Sequence, residues 1–339
     1  MKNNSDKWSK RSPEERILKI ESIYVLSPDL KKVFESVQYC HRYSPLCREP
    51  KCMLITGRPG VGKTSLAEYY LKDYPRIETE DTTEVPVLYL KIEVPATPKN
   101  LVSALLAEIG DPAAENGNIG SQTRRLRKYL RELKTGLIIL DEFQHFIDRD
   151  SSKVLKTISD WLKLMIDKSK LPVVLMGMPY SHIILDARGN EQLKRRFALR
   201  RSIEPFGWGG TTEKQRDFRN FLKLVDDQLP FDKKVRLAGK TMAFRFYCAT
   251  NGVIYYVMDL IQTAAISAIE QSVETIDLNL LADAYDQGLA LAYPERANPF
   301  RCETNELEVL PFADWLPEFK HLTDLKGGND SARGVLRRK

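Results

Sequence analysis

Residues 57–65 read Gly57-Arg58-Pro59-Gly60-Val61-Gly62-Lys63-Thr64-Ser65. This stretch fits the pattern G-x-x-x-x-G-K-[ST], whose glycines let the backbone approach phosphate groups closely. An apolar run of strand length, 52–56, precedes it, and a helical pattern, 65–71, follows it. Backbone N–H groups and the dipole at the start of a helix both attract anions. The sequence therefore predicts that the whole stretch is a phosphate-binding loop, or P-loop, that binds a nucleotide.

Two side chains of the loop carry separate predictions. We expect the Lys63 ammonium to reach the β- and γ-phosphates and the Thr64 hydroxyl to bind Mg²⁺. Pro59 stiffens the turn because its ring fixes one backbone torsion. ATP and Mg²⁺ are therefore the expected cofactors.

A second predicted strand supplies acidic side chains. Residues 137–140 are all apolar, and Asp141 and Glu142 follow them directly. An apolar run that ends in polar residues is typical of a buried parallel strand whose carboxyl end faces a ligand. Asp141 is predicted to hold Mg²⁺ through water, and Glu142 to orient or deprotonate the attacking water. The chain is accordingly predicted to hydrolyse ATP.

Length, charge and cysteine content restrict the class of protein. The 339 residues suffice for one large core or two smaller ones, and the formal net charge is a modest +6. No apolar stretch approaches the roughly 20 residues that span a bilayer, and the first residues lack an apolar signal core. The five cysteines, an odd number, favour reduced thiols. These features predict a cytoplasmic protein with no membrane partner.

Strand and helix patterns divide the chain into four predicted regions. Residues 49–205 alternate between strands and helices, which predicts a parallel sheet flanked by helices. Residues 206–292 are helical throughout and form a small all-helical lid, after a turn-rich boundary at 205–210. An α/β core with such a lid is the layout of AAA+ P-loop NTPases. We expect a helical extension at 1–48 and, at 293–339, a tail that docks a partner or is partly disordered.

The predicted element bounds follow from capping residues and periodicity. Ser-Pro or Thr-Pro pairs at 12–13, 27–28 and 97–98 predict helix starts. The remaining predicted elements of the core are strands at 85–94, 137–142 and 173–177 and helices at 121–133 and 152–169.

Arg195 and Arg196 follow the fourth predicted strand, where AAA+ proteins carry an arginine finger. A finger from a neighbouring subunit stabilises charge on the transferring phosphoryl group. Such a contact is head-to-tail and predicts a ring or a helical filament. The alternative is a basic helix face with no catalytic role, and the sequence does not distinguish the two arginines.

Two polar groups that AAA+ proteins usually carry are missing from the pattern. The fourth strand ends in Met176-Gly177-Met178 where a polar sensor residue is usual, with Ser181 as the nearest hydroxyl. The lid helix offers Tyr255 and Tyr256 where a basic sensor is usual. We therefore expect slow hydrolysis that a partner or DNA stimulates.

The predicted helix at 121–134 is strongly basic. It carries a single acid, Glu132, and six cations: Arg124, Arg125, Arg127, Lys128, Arg131 and Lys134. Such a surface can neutralise several phosphates, which makes binding salt-dependent. A solvated charged helix is the alternative interpretation.

Several motifs together resemble the TniB/TnsC family of transposition regulators, relatives of the phage protein MuB. They are the P-loop, Pro98-Lys99-Asn100-Leu101, Gly110-Asp111-Pro112, Leu140-Asp141-Glu142-Phe143-Gln144-His145, Met176-Gly177-Met178-Pro179, Gln192-Leu193-Lys194-Arg195-Arg196-Phe197 and Asn298-Pro299-Phe300. The resemblance implies a bacterial ATPase that assembles as a filament or ring on duplex DNA. It also implies two kinds of partner, transposase subunits and a TniQ-like target-selection protein. By position, Lys99, Thr123 and Arg125 would contact DNA phosphates, with little sequence specificity.

Two other classes of protein remain open at this point. One is another nucleic-acid AAA+ ATPase, such as a helicase loader or a relative of replication initiators. The other is a signalling or scaffold P-loop NTPase whose nucleotide only organises partners.

Overall fold

The computed structural model describes residues 7–186, 190–209 and 212–309. Within them the chain folds as two compact units. The sheet unit contains residues 32–59 and 63–203, and the helical unit contains residues 7–31, 60–62 and 204–309. The predicted extension at 1–48 is therefore shared between the units. Residues 310–339, most of the predicted tail, lie outside the described residues, as do part of the 205–210 boundary and residues 1–6.

The strands are β1 (Met53–Gly57), β2 (Ile77–Glu78), β3 (Thr83–Glu84), β4 (Val87–Lys91), β5 (Leu137–Asp141), β6 (Val173–Gly177) and β7 (Leu199–Ile203). The helices are α1 (Pro13–Glu21), α2 (Pro28–Tyr43), α3 (Lys63–Asp73), α4 (Pro98–Glu108), α5 (Ile119–Glu132), α6 (His145–Asp148), α7 (Ser152–Ser169), α8 (Ile183–Asp186), α9 (Glu191–Arg196), α10 (Thr212–Asp226), α11 (Lys240–Thr250), α12 (Ile254–Glu270), α13 (Leu278–Gln287) and α14 (Leu289–Ala292).

Five strands form one parallel sheet in the order β4-β5-β6-β1-β7. Every residue of β5 and β6 is buried, which explains why β6 is apolar and β5 is apolar up to Asp141 at its end. Because parallel strands share a direction, their carboxyl ends meet at one edge of the sheet. That edge carries Gly57, Asp141 and Gly177 at the ends of β1, β5 and β6. The predicted parallel sheet flanked by helices is confirmed.

Most predicted element bounds are close to the observed ones, and the differences have local causes. α7 and β6 have their predicted bounds. β4 is shorter than the predicted 85–94, because Pro86 has no N–H for the ladder and the neighbouring strand β5 ends at Asp141. α5 begins two residues early, because the Asn118 side chain accepts a hydrogen bond from Ser121 N and caps the helix there.

The helical unit has a core of its own, built mainly from α10, α11, α12 and α13. Ile20 of α1 is buried in this core. Arg16, also on α1, is 5% exposed and pairs with both carboxylate oxygens of Glu274. Within the described residues no single helix is long and apolar enough to span a membrane; α11 and α12, bent by 115° relative to each other, reach that length and composition only as a pair.

Candidate nucleotide-binding site

The P-loop joins the end of β1 to the start of α3. Gly60 and Gly62 have φ angles of +76° and +95°, which side-chain-bearing residues rarely adopt. The Lys63 ammonium lies inside the loop, where Nζ donates to Gly57 O at 2.8 Å and to Arg58 O at 3.1 Å. Burial lowers the pKa of Lys63, and the negative charges of Glu142 and Asp141 oppose that shift. The two backbone carbonyl groups hold the Lys63 side chain inside the loop.

Thr64 and Asp141 are 77 residues apart in the chain and in direct contact in the sheet unit. Thr64 Oγ1 donates to Asp141 Oδ2 at 2.6 Å, and Tyr89 OH donates to the same oxygen at 3.2 Å. Glu142 N donates to Asp141 Oδ1 at 2.8 Å. The Asp141 carboxylate has no exposed surface, so these three bonds compensate its burial.

The atoms of this cluster fit a magnesium ion. A hydroxyl and a carboxylate are the hard oxygen ligands that Mg²⁺ prefers, and both lie beside the P-loop. Thr64 and Asp141 are the residues that would hold the ion. Burial, together with the negative charge of Asp141, raises the pKa of the Tyr89 phenol, which keeps it protonated as a donor. Periodicity gave no sign of Tyr89, whose partner is on the neighbouring strand.

Glu142 has an unusual backbone conformation. Its φ angle is +57°, in the left-handed region, which costs roughly 1–2 kcal/mol for a residue with a side chain. Its side chain is 25% exposed, and Oε2 accepts a hydrogen bond from Gln144 Nε2. Strain of this kind concentrates at functional sites. The motif after β5 contained Gln144, but its sequence pattern gave that residue no role.

The two arginines of α9 have different environments. The Arg195 side chain is 69% exposed and forms an ion pair of 3.1 Å with the exposed Glu49. The Arg196 side chain is only 8% exposed and pairs with Asp167. Of the two, only Arg195 is accessible to another molecule in this structure.

The three residues predicted to contact DNA phosphates also differ in exposure. Lys99 is exposed in the first turn of α4. Thr123 is 3% exposed, and its hydroxyl donates to Ile119 O and accepts from Trp161 Nε1. The Thr123 hydroxyl is therefore inaccessible to a phosphate, contrary to its predicted role, because it links α5 to α7.

Arg125 is also engaged within the sheet unit. Its guanidinium pairs with Asp111, a residue with 6% exposure, and donates to Ala113 O. The next residue toward the start of α5, Arg124, is exposed. The exposed cation at the start of α5, where a DNA contact was predicted, is therefore Arg124. Arg125 instead holds the loop between α4 and α5.

The family is decided by residues 16–205, which match the sequence model described as "Bacterial TniB protein". The chain belongs to the bacterial TniB family. This match confirms the resemblance to the TniB family that the sequence motifs indicated. Comparison of this TniB protein with curated proteins gives no match.

Solved structures similar to this TniB protein are AAA+ proteins. The Aeropyrum pernix ORC1 protein in complex with DNA has a TM-score of 0.58 and 18% identity, over 80% of this chain and 69% of that one. The Aeropyrum pernix ORC2 protein (ADPNP-ADP complexes) has 0.59 and 13%, over 79% and 71%. Cdc6p from Pyrobaculum aerophilum has 0.57 and 14%, over 79% and 70%. At these identities the likeness establishes the AAA+ fold alone.

The difference between the α9 arginines predicts different effects on stability. Arg196→Ala should lower the free energy of unfolding by about 2 kcal/mol, because it removes a buried cation and its packing. Arg195→Ala should change it by less than about 0.5 kcal/mol, as exposed ion pairs contribute little. Urea denaturation of both variants measures this. Equal losses of unfolding free energy in the two variants would contradict the assignment of Arg196 as buried and Arg195 as accessible.

Proposed function

We propose that this TniB protein is an ATP-dependent, DNA-binding regulator of transposition that assembles on duplex DNA and hydrolyses ATP to disassemble. The observation that carries the proposal is the contact of Thr64 with the buried Asp141 beside Glu142, in a chain of the TniB family. This arrangement has the parts of an ATP-hydrolysing site, and the family directs its use toward transposition.

The residues of the site divide the work of hydrolysis. Lys63 and the P-loop backbone bind the phosphates, and Thr64 and Asp141 hold the magnesium ion, whose charge helps to neutralise them. Glu142 lies next to Asp141 with a partly exposed carboxylate, and so it can orient or deprotonate water. β6, the fourth strand predicted from the sequence, ends without a polar side chain, and the lid carries tyrosines where a basic sensor is usual. Turnover is therefore slow until a partner or DNA stimulates it.

Arg195 supports assembly between subunits. It lies on α9 after β6 and projects from the surface, whereas Arg196 is engaged internally. A positive side chain given to the next subunit's nucleotide stabilises the transition state and makes hydrolysis depend on assembly. The contact is head-to-tail, so it generates a filament or a ring.

The starts of α4 and α5 support a phosphate-binding surface. Neither helix has an acid in its first turn, and each has N–H groups and a positive dipole there. Gln122 Nε2 donates to Ser103 Oγ at 2.8 Å, so the first turn of α5 lies against α4, one turn beyond Lys99. Lys99 and Arg124 are the exposed cations of this surface, and they would contact the DNA backbone without reading sequence.

The proposed partners follow from the family. Transposase subunits and a TniQ-like target-selection protein would meet the assembled protein on DNA, and the tail at 293–339 is a candidate docking segment for them. Two similar structures, the Aeropyrum pernix ORC1 protein in complex with DNA and Drosophila ORC bound to DNA, are of DNA-bound proteins, which agrees with a nucleic-acid role. The TniB match, which covers more than half of the chain, supports the proposed role in transposition.

Lys63 and Glu142 separate binding from turnover. Lys63→Ala should weaken ATP binding on the order of 10²-fold, because it removes charge-assisted bonds to the phosphates, and should abolish assembly on DNA. Glu142→Gln should keep assembly while slowing turnover on the order of 10²- to 10³-fold. Phosphate release and negative-stain microscopy with duplex DNA and a non-hydrolysable ATP analogue measure the two properties. Wild-type monomers under all conditions would contradict the assembly proposal.

Mixing two inactive variants tests the role of Arg195. Arg195→Ala should slow turnover on the order of 10³-fold while leaving ATP binding intact. Mixed with Glu142→Gln, which assembles on DNA and retains Arg195 but turns over ATP slowly, it should recover part of the activity, because one subunit completes the site of the other. Lys194→Ala, an exposed neighbour on α9, is the matched control. No recovery in the mixture would exclude a finger supplied between subunits.

Salt-dependent DNA binding tests the phosphate surface. Lys99→Ala and Arg124→Ala should each weaken binding to any duplex sequence and reduce the salt slope by about one. Thr123→Val should leave affinity within about twofold but lower the free energy of unfolding by about 1 kcal/mol, because Trp161 loses its acceptor. Fluorescence anisotropy at several salt concentrations measures the slopes. An unchanged salt slope for both cation variants would show that the starts of α4 and α5 are not the DNA-binding surface.

A further inference from the structure

The last residue of β6 is a glycine, and two polar side chains, those of Ser181 and Gln144, fill the space beside it. A Cβ atom built on Gly177 would lie 2.4 Å from Ser181 Oγ and 2.9 Å from Gln144 Oε1. Non-bonded atoms do not approach this closely in a packed interior. The polar side-chain atoms beside the end of β6 therefore come from Gln144, on the segment after β5, and from Ser181, which follows β6, and not from a residue of β6 itself.

Gln144 connects the end of β6 to Glu142. The residue is 5% exposed, so the polar atoms of its carboxamide need partners. Gln144 Oε1 accepts from Met178 N at 3.2 Å, and Nε2 donates to Glu142 Oε2. One residue earlier, Phe143 N donates to Met176 O at 2.9 Å and fixes the backbone against the same strand. The carboxamide is thus held on one side and holds the carboxylate on the other.

Glu142 depends on this bond for its side-chain position. Among the residues that the structure describes, Gln144 is the one side chain that donates a hydrogen bond to the Glu142 carboxylate. His145 Nε2 is 4.0 Å from the same oxygen, which is too long for a hydrogen bond. A partly exposed carboxylate on a flexible side chain otherwise samples several rotamers.

We propose that Gln144 is a positioning residue that holds the Glu142 carboxylate against the end of β6 and replaces the polar residue that this strand lacks. The inference rests on the proposed role of Glu142 in hydrolysis. Because one carboxamide joins Glu142 to the backbone of Met178, a shift at the end of β6 changes the position of the carboxylate. Gln144 acts on Glu142 and does not touch the nucleotide.

Two substitutions separate positioning from packing. Gln144→Ala and Gln144→Glu should each lower kcat on the order of 10²-fold, with the KM for ATP and the affinity for a fluorescent ATP analogue within about twofold of wild type. Gln144→Glu keeps the length of the side chain and an acceptor for Met178 N, but its carboxylate cannot donate to Glu142. If Gln144→Glu retains wild-type kcat, packing explains the residue and the proposal is wrong.

Chemical denaturation without nucleotide tests the contact independently of turnover. Gln144→Ala should lower the urea midpoint of the wild-type protein and lower it less in a Glu142→Ala background, where the acceptor is already gone. Equal shifts in both backgrounds would overturn the proposed contact. The matched control is Ser159→Ala, which removes another buried polar side chain of the sheet unit, bonded to Leu155 and Asn190. That variant should be destabilised with kcat within about twofold of wild type.

The same experiments distinguish failure of this proposal from failure of the proposed function. If Glu142→Gln is inactive while Gln144→Ala has wild-type kcat, Glu142 keeps its role and Gln144 loses the one proposed here. If Glu142→Gln itself turns over ATP like wild type, both proposals are wrong.

Discussion

The hydrogen bond between Thr64 and Asp141 joins the first turn of α3 to the end of β5, and the candidate site is arranged around it. Asp141 can be fully buried because Thr64, Tyr89 and a backbone N–H supply three donors. A buried carboxylate without such partners would be strongly destabilising. The parallel sheet makes the arrangement possible, since it brings the ends of β1, β4, β5 and β6 to one edge.

Beyond Asp141 the chain turns back against β6, and this turn places the remaining polar groups. The left-handed conformation of Glu142 starts the turn, and the bond from Phe143 N to Met176 O fixes it. Gln144, together with Ser181, then occupies the space beside Gly177. The Glu142 carboxylate and the end of β6 are therefore parts of one hydrogen-bonded unit, although β6 itself ends without a polar side chain.

The cations of this chain have roles that depend on burial more than on charge. On α9, Arg196 stabilises the sheet unit through Asp167, while its neighbour Arg195 remains accessible. On α5, Arg125 holds a loop through Asp111, while its neighbour Arg124 faces outward. In both pairs adjacent residues of the same type take opposite roles. Exposed cations at the starts of helices are suited to phosphate binding, and buried ones are suited to packing.

The sequence by itself determined the P-loop, the apolar strand ending in Asp141, the alternation of strands and helices, and most helix starts. These features follow from local rules: glycine torsions, side-chain caps such as Asn118, and the unbroken apolar character of buried parallel strands. Where the predicted bounds of β4 and α5 were wrong, the causes Pro86 and Asn118 lie within a few residues of those bounds. The exception is the end of the neighbouring strand β5, which also limits β4.

Only the tertiary structure decided which arginine of α9 is accessible, that Thr123 is buried, and that Tyr89 and Gln144 belong to the site. Each of these depends on a partner distant in the chain: Asp167 for Arg196, Trp161 for Thr123, Asp141 for Tyr89 and Met178 for Gln144. The periodicity of one helix or strand shows which face is apolar, but it does not show which polar group lies opposite on the element packed against it. The role of a polar side chain depends on that partner, and only the tertiary fold brings the two into contact.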